Sequence, residues 1–456
     1  GGISRIYSLS WNRRFASPPF DVPGSPVSAP PRSRRPRSPR PAPDRAAEPI
    51  AVALLGAGRW GRHLLRQFRN TPRAHVVALV DPDSIALQGL AQRVDLEADV
   101  ALLEEWQQVW QLPQVDAIVV ATPPATHAPI VQAALQRRCP VLVESPFTLS
   151  ARTAYALWSL AQRQRCPLVV NHLYPLHPAV LSGHTALLRQ ELGPIRYGYS
   201  SRTQLGPVRP DVDVLWDLAS HDLCIFQQWL GCDPVWVMAQ GLGWLTNPSS
   251  QQACQQSFQA TAGAKPSSSE GPGSPGVQSS SPRSLAAAAP SAAASPPSPA
   301  PAAPPFPLRS PPIVDQVWAT VLYPPHIPVQ FQWSRANPHK QRQSVLVGDR
   351  GSLVLDELNP RALVFRQGHL DWDTPEHPGV WSPQEGTVCK LPVADRDPLS
   401  EVCEHFLDCV LQNQQSDRLG GREAVKLLMI LEALSQSLQQ GGQWIQLRRV
   451  PPQGSH

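Results

Sequence analysis

Two groups of residues have types and spacings that could do chemistry. The first is Gly56-Ala57-Gly58-Arg59-Trp60-Gly61, entered from the apolar run Ile50–Leu55 and followed by Asp81 at the end of a second apolar run. Glycines at this spacing allow a tight turn (Gly56), close approach of backbone to a pyrophosphate (Gly58) and close packing of helix on strand (Gly61). The unpaired N–H groups that open the following helix would face the anion. Arg59 and Trp60 share the turn and join Gly56, Gly58 and Gly61 as candidate cofactor contacts. Asp81 would accept hydrogen bonds from ribose hydroxyls and repel a 2′-phosphate. No Arg follows it directly, which favours NAD over NADP.

The second group is Asp217 and His221, four residues apart in a helical stretch and so on one face, one turn apart. A carboxylate beside an imidazole fixes its tautomer and raises its basicity, which suits a general base that takes a hydroxyl proton while hydride leaves the same carbon. A surface ion pair is the alternative reading of the same spacing. Two loops complete the constellation. Ala121-Thr122-Pro123-Pro124-Ala125-Thr126-His127 follows a strand, where open α/β sheets bind ligands, and His127 either contacts the nicotinamide-side ribose or caps the next helix. Glu144-Ser145-Pro146 ends the next strand.

The elements that must position these residues are legible as period. Apolar strands are predicted at 50–55, 75–80, 116–121, 140–144 and 167–170, with helical stretches between them, including 126–138 and 151–164. The fold class is α/β, an N-terminal doubly wound parallel Rossmann sheet, followed by a C-terminal α+β domain on a mostly antiparallel sheet. In the second part helices are predicted at 178–191, 214–230, 398–413 and 421–438. Strands are predicted near 195–202, 234–241, 314–323, 327–333, 343–347, 352–356, 362–366 and 443–448. Three segments follow: a disordered tail over 1–48, a nucleotide-binding domain over 49–170, and an α+β substrate and oligomerisation domain over 171–450 with a low-complexity insertion at 246–312.

Composition agrees. The chain has 456 residues and 53 prolines, 25 of them in the tail and the insertion. Neither segment has the apolar content to offset its ordering entropy. The tail's nine Arg against three acids give it +6, so the chain's +5 leaves −1 for the rest. The tail's Arg-rich stretch, residues 32–45, has no aromatic residue interleaved for base stacking, and the tail has no apolar signal-peptide core, so no specific nucleic-acid partner is expected. No run of 18 apolar residues predicts a membrane span. The eight cysteines form no C-x-x-C pair and no cluster with His at ligand spacing, which points to free thiols in a reducing cytoplasm and no metal.

Together, Gly56–Gly61, Ala121–His127, Glu144-x-Pro146 and Asp217-x-x-x-His221 resemble the glucose–fructose oxidoreductase / inositol dehydrogenase / rhizopine-catabolism (Gfo/Idh/MocA) family, over about residues 50–448 without the insertion. Asp315, His339-Lys340-x-Arg342, Gly348-x-x-Gly351 and Asp397-Pro398-Leu399 fit it as well. Leu205–Arg209 with Leu215–Leu218 and His221-Asp222 is most similar to members acting on nucleotide-linked sugars. The resemblance implies that Gly56, Gly58, Gly61 and Asp81 hold the dinucleotide and that Thr122, Pro123, His127 and Glu144 line its nicotinamide half. It implies His221 as acid/base with Asp217 as its partner, His172 among the substrate contacts, and a homodimer or homotetramer through the open face of the second sheet. Arg209 would grip a substrate carboxylate or phosphate. One position departs: the family motif is Glu-Lys-Pro, its lysine stabilising charge on the reacting oxygen, and here Ser145 stands in the middle. Serine is a neutral, shorter donor, and losing one such donor costs about 10²–10³ in rate. Two functions follow: an NAD-dependent oxidoreductase of sugars or nucleotide sugars, or a catalytically impaired dinucleotide-binding regulator or scaffold.

Overall fold

Ile50–Leu55 (β1) is apolar at every position because both of its faces are covered: all six residues are buried. Alternate side chains serve opposite layers. Val52 and Leu54 join one core cluster, and Ala53 and Leu55 join the other. The computed structural model describes residues 48–206, 213–243, 314–359, 362–375 and 377–450. The tail through residue 47, the insertion at 246–312 and Arg209 lie outside these residues.

Around β1 runs a six-stranded parallel sheet in the order β3-β2-β1-β4-β5-β6. Its other strands are Ala74–Val80 (β2), Ala101–Leu103 (β3), Ala117–Val120 (β4), Val141–Glu144 (β5) and Leu168–Asn171 (β6). The first half steps outward from β1 and the second half steps the other way, so the crevice beyond the carboxyl ends of β1 and β4 lies where the direction reverses. Helices Arg59–Asn70 (α1), Ser84–Arg93 (α2), Pro124–Gln136 (α3) and Ala151–Gln164 (α4) connect the strands. Asp83 starts α2 by accepting from Ile85 N and Ala86 N, both at 3.0 Å.

After Pro178–Leu188 (α5), a nine-stranded sheet forms in the order β14-β13-β12-β11-β7-β10-β9-β8-β15. Its strands are Ile195–Leu205 (β7), Trp236–Leu242 (β8), Gln316–Tyr323 (β9), Ile327–Ser334 (β10), Ala336–Gly348 (β11), Gly351–Asp356 (β12), Ala362–Thr374 (β13), His377–Lys390 (β14) and Ile445–Gln446 (β15). Every pairing is antiparallel except β7 with β10. Val317, Ala319 and Val321 of β9 and Val329, Phe331 and Trp333 of β10 turn inward and are buried. There they meet the helix Val214–Leu230 (α6), which Asp213 caps by accepting from Trp216 N at 3.0 Å and Gly231 ends at φ +64°.

The two last helices, Pro398–Gln412 (α7) and Gly421–Gln439 (α8), return to the first sheet. Phe406 of α7 meets Phe68 of α1 edge to face, with ring centres 6.4 Å apart. Leu419, just before α8, accepts from Val170 N at 2.8 Å, and Glu432 of α8 takes the Ala151 N–H that opens α4, also at 2.8 Å. The other side of α8 reaches β8, where Ser437 Oγ accepts from Ala239 N at 2.9 Å. Helices that the sequence places with the second sheet thus also cover the first.

Candidate active site

The turn after β1 is built as its glycines require. Gly56 has φ +107° and lies against Ala121, where an added Cβ would sit 2.5 Å from the Ala121 oxygen. At Gly61 an added Cβ would stand 1.8 Å from the Gly56 oxygen, so only glycine lets α1 approach this closely. Gly58, which caps α1, is different: a Cβ there would meet nothing within 4 Å. It borders open space at a helix N-terminus, the environment a pyrophosphate requires. The donor set therefore fits a dinucleotide.

That space belongs to a cleft of ≈ 910 Å³ that runs from Gly56, Gly58, Arg59 and Trp60 past Thr122 and Pro123 to Glu144 and Ser145. Its far wall is α6, through Trp216, Asp217, Ser220 and His221. Residues 160 positions apart in the chain, Gly61's turn and His221's helix, therefore face one cavity.

Asp81 borders the cleft and is already engaged: Oδ2 accepts from Ala57 N at 2.6 Å and Oδ1 from Asp83 N at 3.0 Å. Its carboxylate braces the glycine turn as well as presenting charge to the cavity. Glu144 is buried at the cleft wall, and Asn171 Nδ2 donates to its Oε1 at 2.7 Å. Burial outweighs that bond and raises its carboxyl to about 7. Ser145 also lines the cleft, and no lysine does among the described residues.

Two expectations change. Asp217 does not serve His221: its Oδ2 forms an ion pair with Arg335 Nη2. Spacing put both groups on one helical face but carried no information about a guanidinium arriving from the β10–β11 junction. His127 lines the cleft beside Thr122 but is fully buried. Its Nε2 lies 2.8 Å from the Thr122 oxygen, while Nδ1 lies 3.1 and 3.2 Å from the oxygens of Pro146 and Phe147, so the ring pins one cleft loop to the other. Burial holds it below the usual imidazole range. His172 is buried behind the wall, its Nε2 without a hydrogen-bond partner, and burial lowers it to about 4. It is not among the residues lining the cleft.

His221 keeps some surface at the cleft, but its imidazole is held well below the usual range. Burial is the first cause, followed by the positive field of Arg202 and, more weakly, those of Arg342 and Arg335. At neutral pH it is a free base facing the cavity. Sequence reasoning missed Asn171, whose Oδ1 is buried without a partner, and the stretch Glu104–Gln107, which also lines the cleft. It also missed what stands behind His221: Arg202, buried and bonded to Asp222 and Glu357. Among the described residues no group of His, Cys, Asp and Glu could hold a metal ion, and no helix is long and apolar enough to cross a membrane.

Comparison with known proteins agrees with this geometry. Residues 50–172 match the model of the Gfo/Idh/MocA group, described as an oxidoreductase family with an NAD-binding Rossmann fold. This match covers the first domain alone. It is 36% identical over 140 residues to UDP-N-acetylglucosamine 3-dehydrogenase of Acidithiobacillus ferrooxidans, covering 30% of this chain and 42% of that protein. It is 27% identical over 213 residues to scyllo-inositol 2-dehydrogenase (NAD(+)) of Bacillus subtilis, covering 44% and 60%. The chain thus spans less than two thirds of either relative. Solved structures extend the likeness of fold to the second domain. Levoglucosan dehydrogenase in complex with NADH and L-sorbose superposes at TM-score 0.62 and 14% identity, over 89% of this chain and 100% of that one. The A. ferrooxidans dehydrogenase superposes at 0.57 and 19% identity, over 86% and 98%.

Proposed function

We propose that this chain is an NAD-dependent oxidoreductase acting on a CH–OH group of a sugar or nucleotide sugar. The observation that carries the reading is the single cleft that joins the open side of Gly58 to the imidazole of His221. The first domain, from about residue 49 to 170, holds the cofactor, and the second supplies the substrate wall.

Bound in the cleft, NAD supplies the hydride-accepting carbon. The chain's own residues do the rest. The α1 N-terminus and the Gly58 backbone hold the pyrophosphate, and Asp81 receives ribose hydroxyls and disfavours a 2′-phosphate. Glu144, held by Asn171, borders the cavity beside Ser145. His221, neutral at physiological pH, accepts the substrate hydroxyl proton on a ring nitrogen as the C–H bond gives up its hydride. Ser145 Oγ offers a neutral hydrogen bond where the family has a cation. The relatives' names support turnover rather than its loss. On the face of the second sheet away from the helices, Tyr197, Tyr199, Trp236 and Trp318 are exposed, which supports self-association through that face.

The test is direct. NADH titration should show energy transfer from tryptophan. A panel of inositols, sugars and UDP-sugars should yield NADH, abolished in His221→Ala. Ser145→Lys then decides how the site works: a rate rise of about 10²-fold means that serine is a weak substitute for the lysine, and a fall means that the site is organised around serine. Absence of NADH binding would overturn the reading.

A further inference from the structure

With Asp217 paired to Arg335, the lateral support of the His221 ring comes from elsewhere. Tyr174 follows β6 in the short 3₁₀ turn Tyr174–Leu176, where the chain passes from the first sheet to the second. Its ring centre lies 5.4 Å from that of His221, tilted by 53°, and its other neighbour, His177, is stacked at 6.0 Å. The Arg202 guanidinium sits over the Tyr174 ring at 5.4 Å. Tyr174 Oη donates to Glu357 Oε2 at 2.6 Å.

These contacts close into one buried assembly. Arg202 Nη2 reaches Asp222 Oδ1 at 2.8 Å and Nε reaches both Asp222 oxygens at 3.1 Å, while its Nη1 reaches Glu357 Oε2 at 3.2 Å. Trp333 Nε1 donates to Asp222 Oδ2 at 2.7 Å. Asp222 is the residue after His221, so the assembly grips the helix at the position next to the imidazole and touches the imidazole through Tyr174. A cation and two carboxylates with hydrogen bonds this complete form a rigid support, because breaking any one would strand a buried charge. Nothing in the chemistry assigned to the cleft uses this assembly.

We infer that Tyr174 is the positioning residue for His221: its ring, packed between the Arg202 guanidinium and His177, holds the imidazole in the plane from which it faces the cleft. The inference rests on the oxidoreductase reading only for its kinetic consequence. The geometry stands without it. Around the imidazole lie Asp217 and Asp222 from its own helix, His172 from the segment after β6, with His177 beyond the Tyr174 ring, and Arg202 from β7. Arg335 and Arg342 come from the β10–β11 side, with Glu357 behind Tyr174. Asp217, Asp222 and Glu357 are each matched to a guanidinium. Removing the Tyr174 ring would therefore act on His221 chiefly by admitting water beside it.

The experiment compares Tyr174→Leu, which deletes the aromatic ring, with Tyr174→Phe, which keeps it and drops only the hydroxyl. The His221 ring signal is followed by NMR in histidine-labelled protein and assigned by its loss in His221→Gln. In Tyr174→Leu its titration midpoint should rise toward the ordinary value of about 6.5. With the turnover substrate, kcat should fall by about 10- to 100-fold while NADH affinity holds. In Tyr174→Phe the midpoint should stay near that of the wild type and kcat should hold within about threefold. A folded Tyr174→Leu protein with wild-type midpoint and kcat overturns the inference. If Tyr174→Leu does not fold, the wild-type protein decides: NOEs between the His221 and Tyr174 rings, retained in Tyr174→Phe, are expected, and their absence overturns it. If no hydroxyl substrate turns over, the oxidoreductase reading fails separately and the titration arm alone judges Tyr174.

Discussion

Gly58 and Gly61 stand three residues apart in one turn, yet substituting alanine at each should harm different properties. An alanine Cβ at position 61 would lie 1.8 Å from the Gly56 oxygen, a backbone atom that cannot rotate aside. A carbon–oxygen contact needs about 3.3 Å, so α1 has to retreat from β1 by more than an ångström. Overpacking at such a site costs about 1–3 kcal/mol, and a rigid backbone neighbour puts Gly61→Ala at the upper end. At roughly 2–4 °C per kcal/mol for a body of this size, its Tm should fall by about 6–12 °C. Gly58 has φ −66° and ψ −167°, extended backbone that alanine adopts freely, and its Cβ would meet no atom. Gly58→Ala should therefore melt at or slightly above the wild type, since the unfolded chain loses about 0.4–1 kcal/mol of freedom. Its methyl instead enters the space left for pyrophosphate, weakening NADH by about 5- to 150-fold for a clash of about 1–3 kcal/mol. Thermal melts without nucleotide and NADH titration by tryptophan energy transfer read the two effects separately. A Gly58→Ala protein that binds NADH like the wild type, or a Gly61→Ala protein that melts like it, would refute the reasoning.

Two further outcomes are expected. Asp81→Arg should shift preference from NADH toward NADPH, but with overall affinity reduced, because the Ala57 N–H loses its acceptor at 2.6 Å; an unchanged preference ratio in parallel titrations would count against Asp81 as the ribose reader. Glu144 has a folded-state pKa raised by burial to about 7, so its neutral form is favoured and stability is lost as pH rises from the unfolded value of 4.5 through 7. Glu144→Gln keeps an acceptor for Asn171 and removes the charge, so urea denaturation of the nucleotide-free protein should show it more stable than wild type at pH 8 by ~3 kcal/mol, the advantage vanishing near pH 4. Parallel pH profiles for the two proteins would place the carboxylate in a wetter environment than the structure shows.

The first domain was legible because its signals are local. Apolar runs such as Val141–Glu144 and Leu168–Asn171 sit between helical periods, and the glycine spacing names its own turn. The strand His377–Lys390 was not predicted: it carries two prolines and two glycines and is almost wholly exposed, which an edge strand tolerates and an alternation pattern does not reveal. At the site, the glycine turn and the helix of His221 line one cleft, whereas the side-chain pairings carry no sequence signal. Asp217 and Arg335 are separated by 118 residues, and Tyr174, Arg202 and Glu357 come from three unrelated stretches. No periodicity marks such partners, because the contact exists only once β7, β12 and the turn after β6 have converged. His127 lies in the cleft wall where the loop after β4 places it, but its ring contacts with the oxygens of Thr122, Pro146 and Phe147 leave no mark in the sequence.

The return of α7 and α8 to the first sheet bears on how much of this chain can stand alone. A fragment ending at residue 172 would contain every glycine of the nucleotide turn. It would also present Leu64, Leu65 and Phe68 of α1 to water where Val402, Phe406 and Leu407 cover them in the whole protein. During synthesis the nucleotide-binding half must therefore wait, incompletely sheathed, until α7 has emerged.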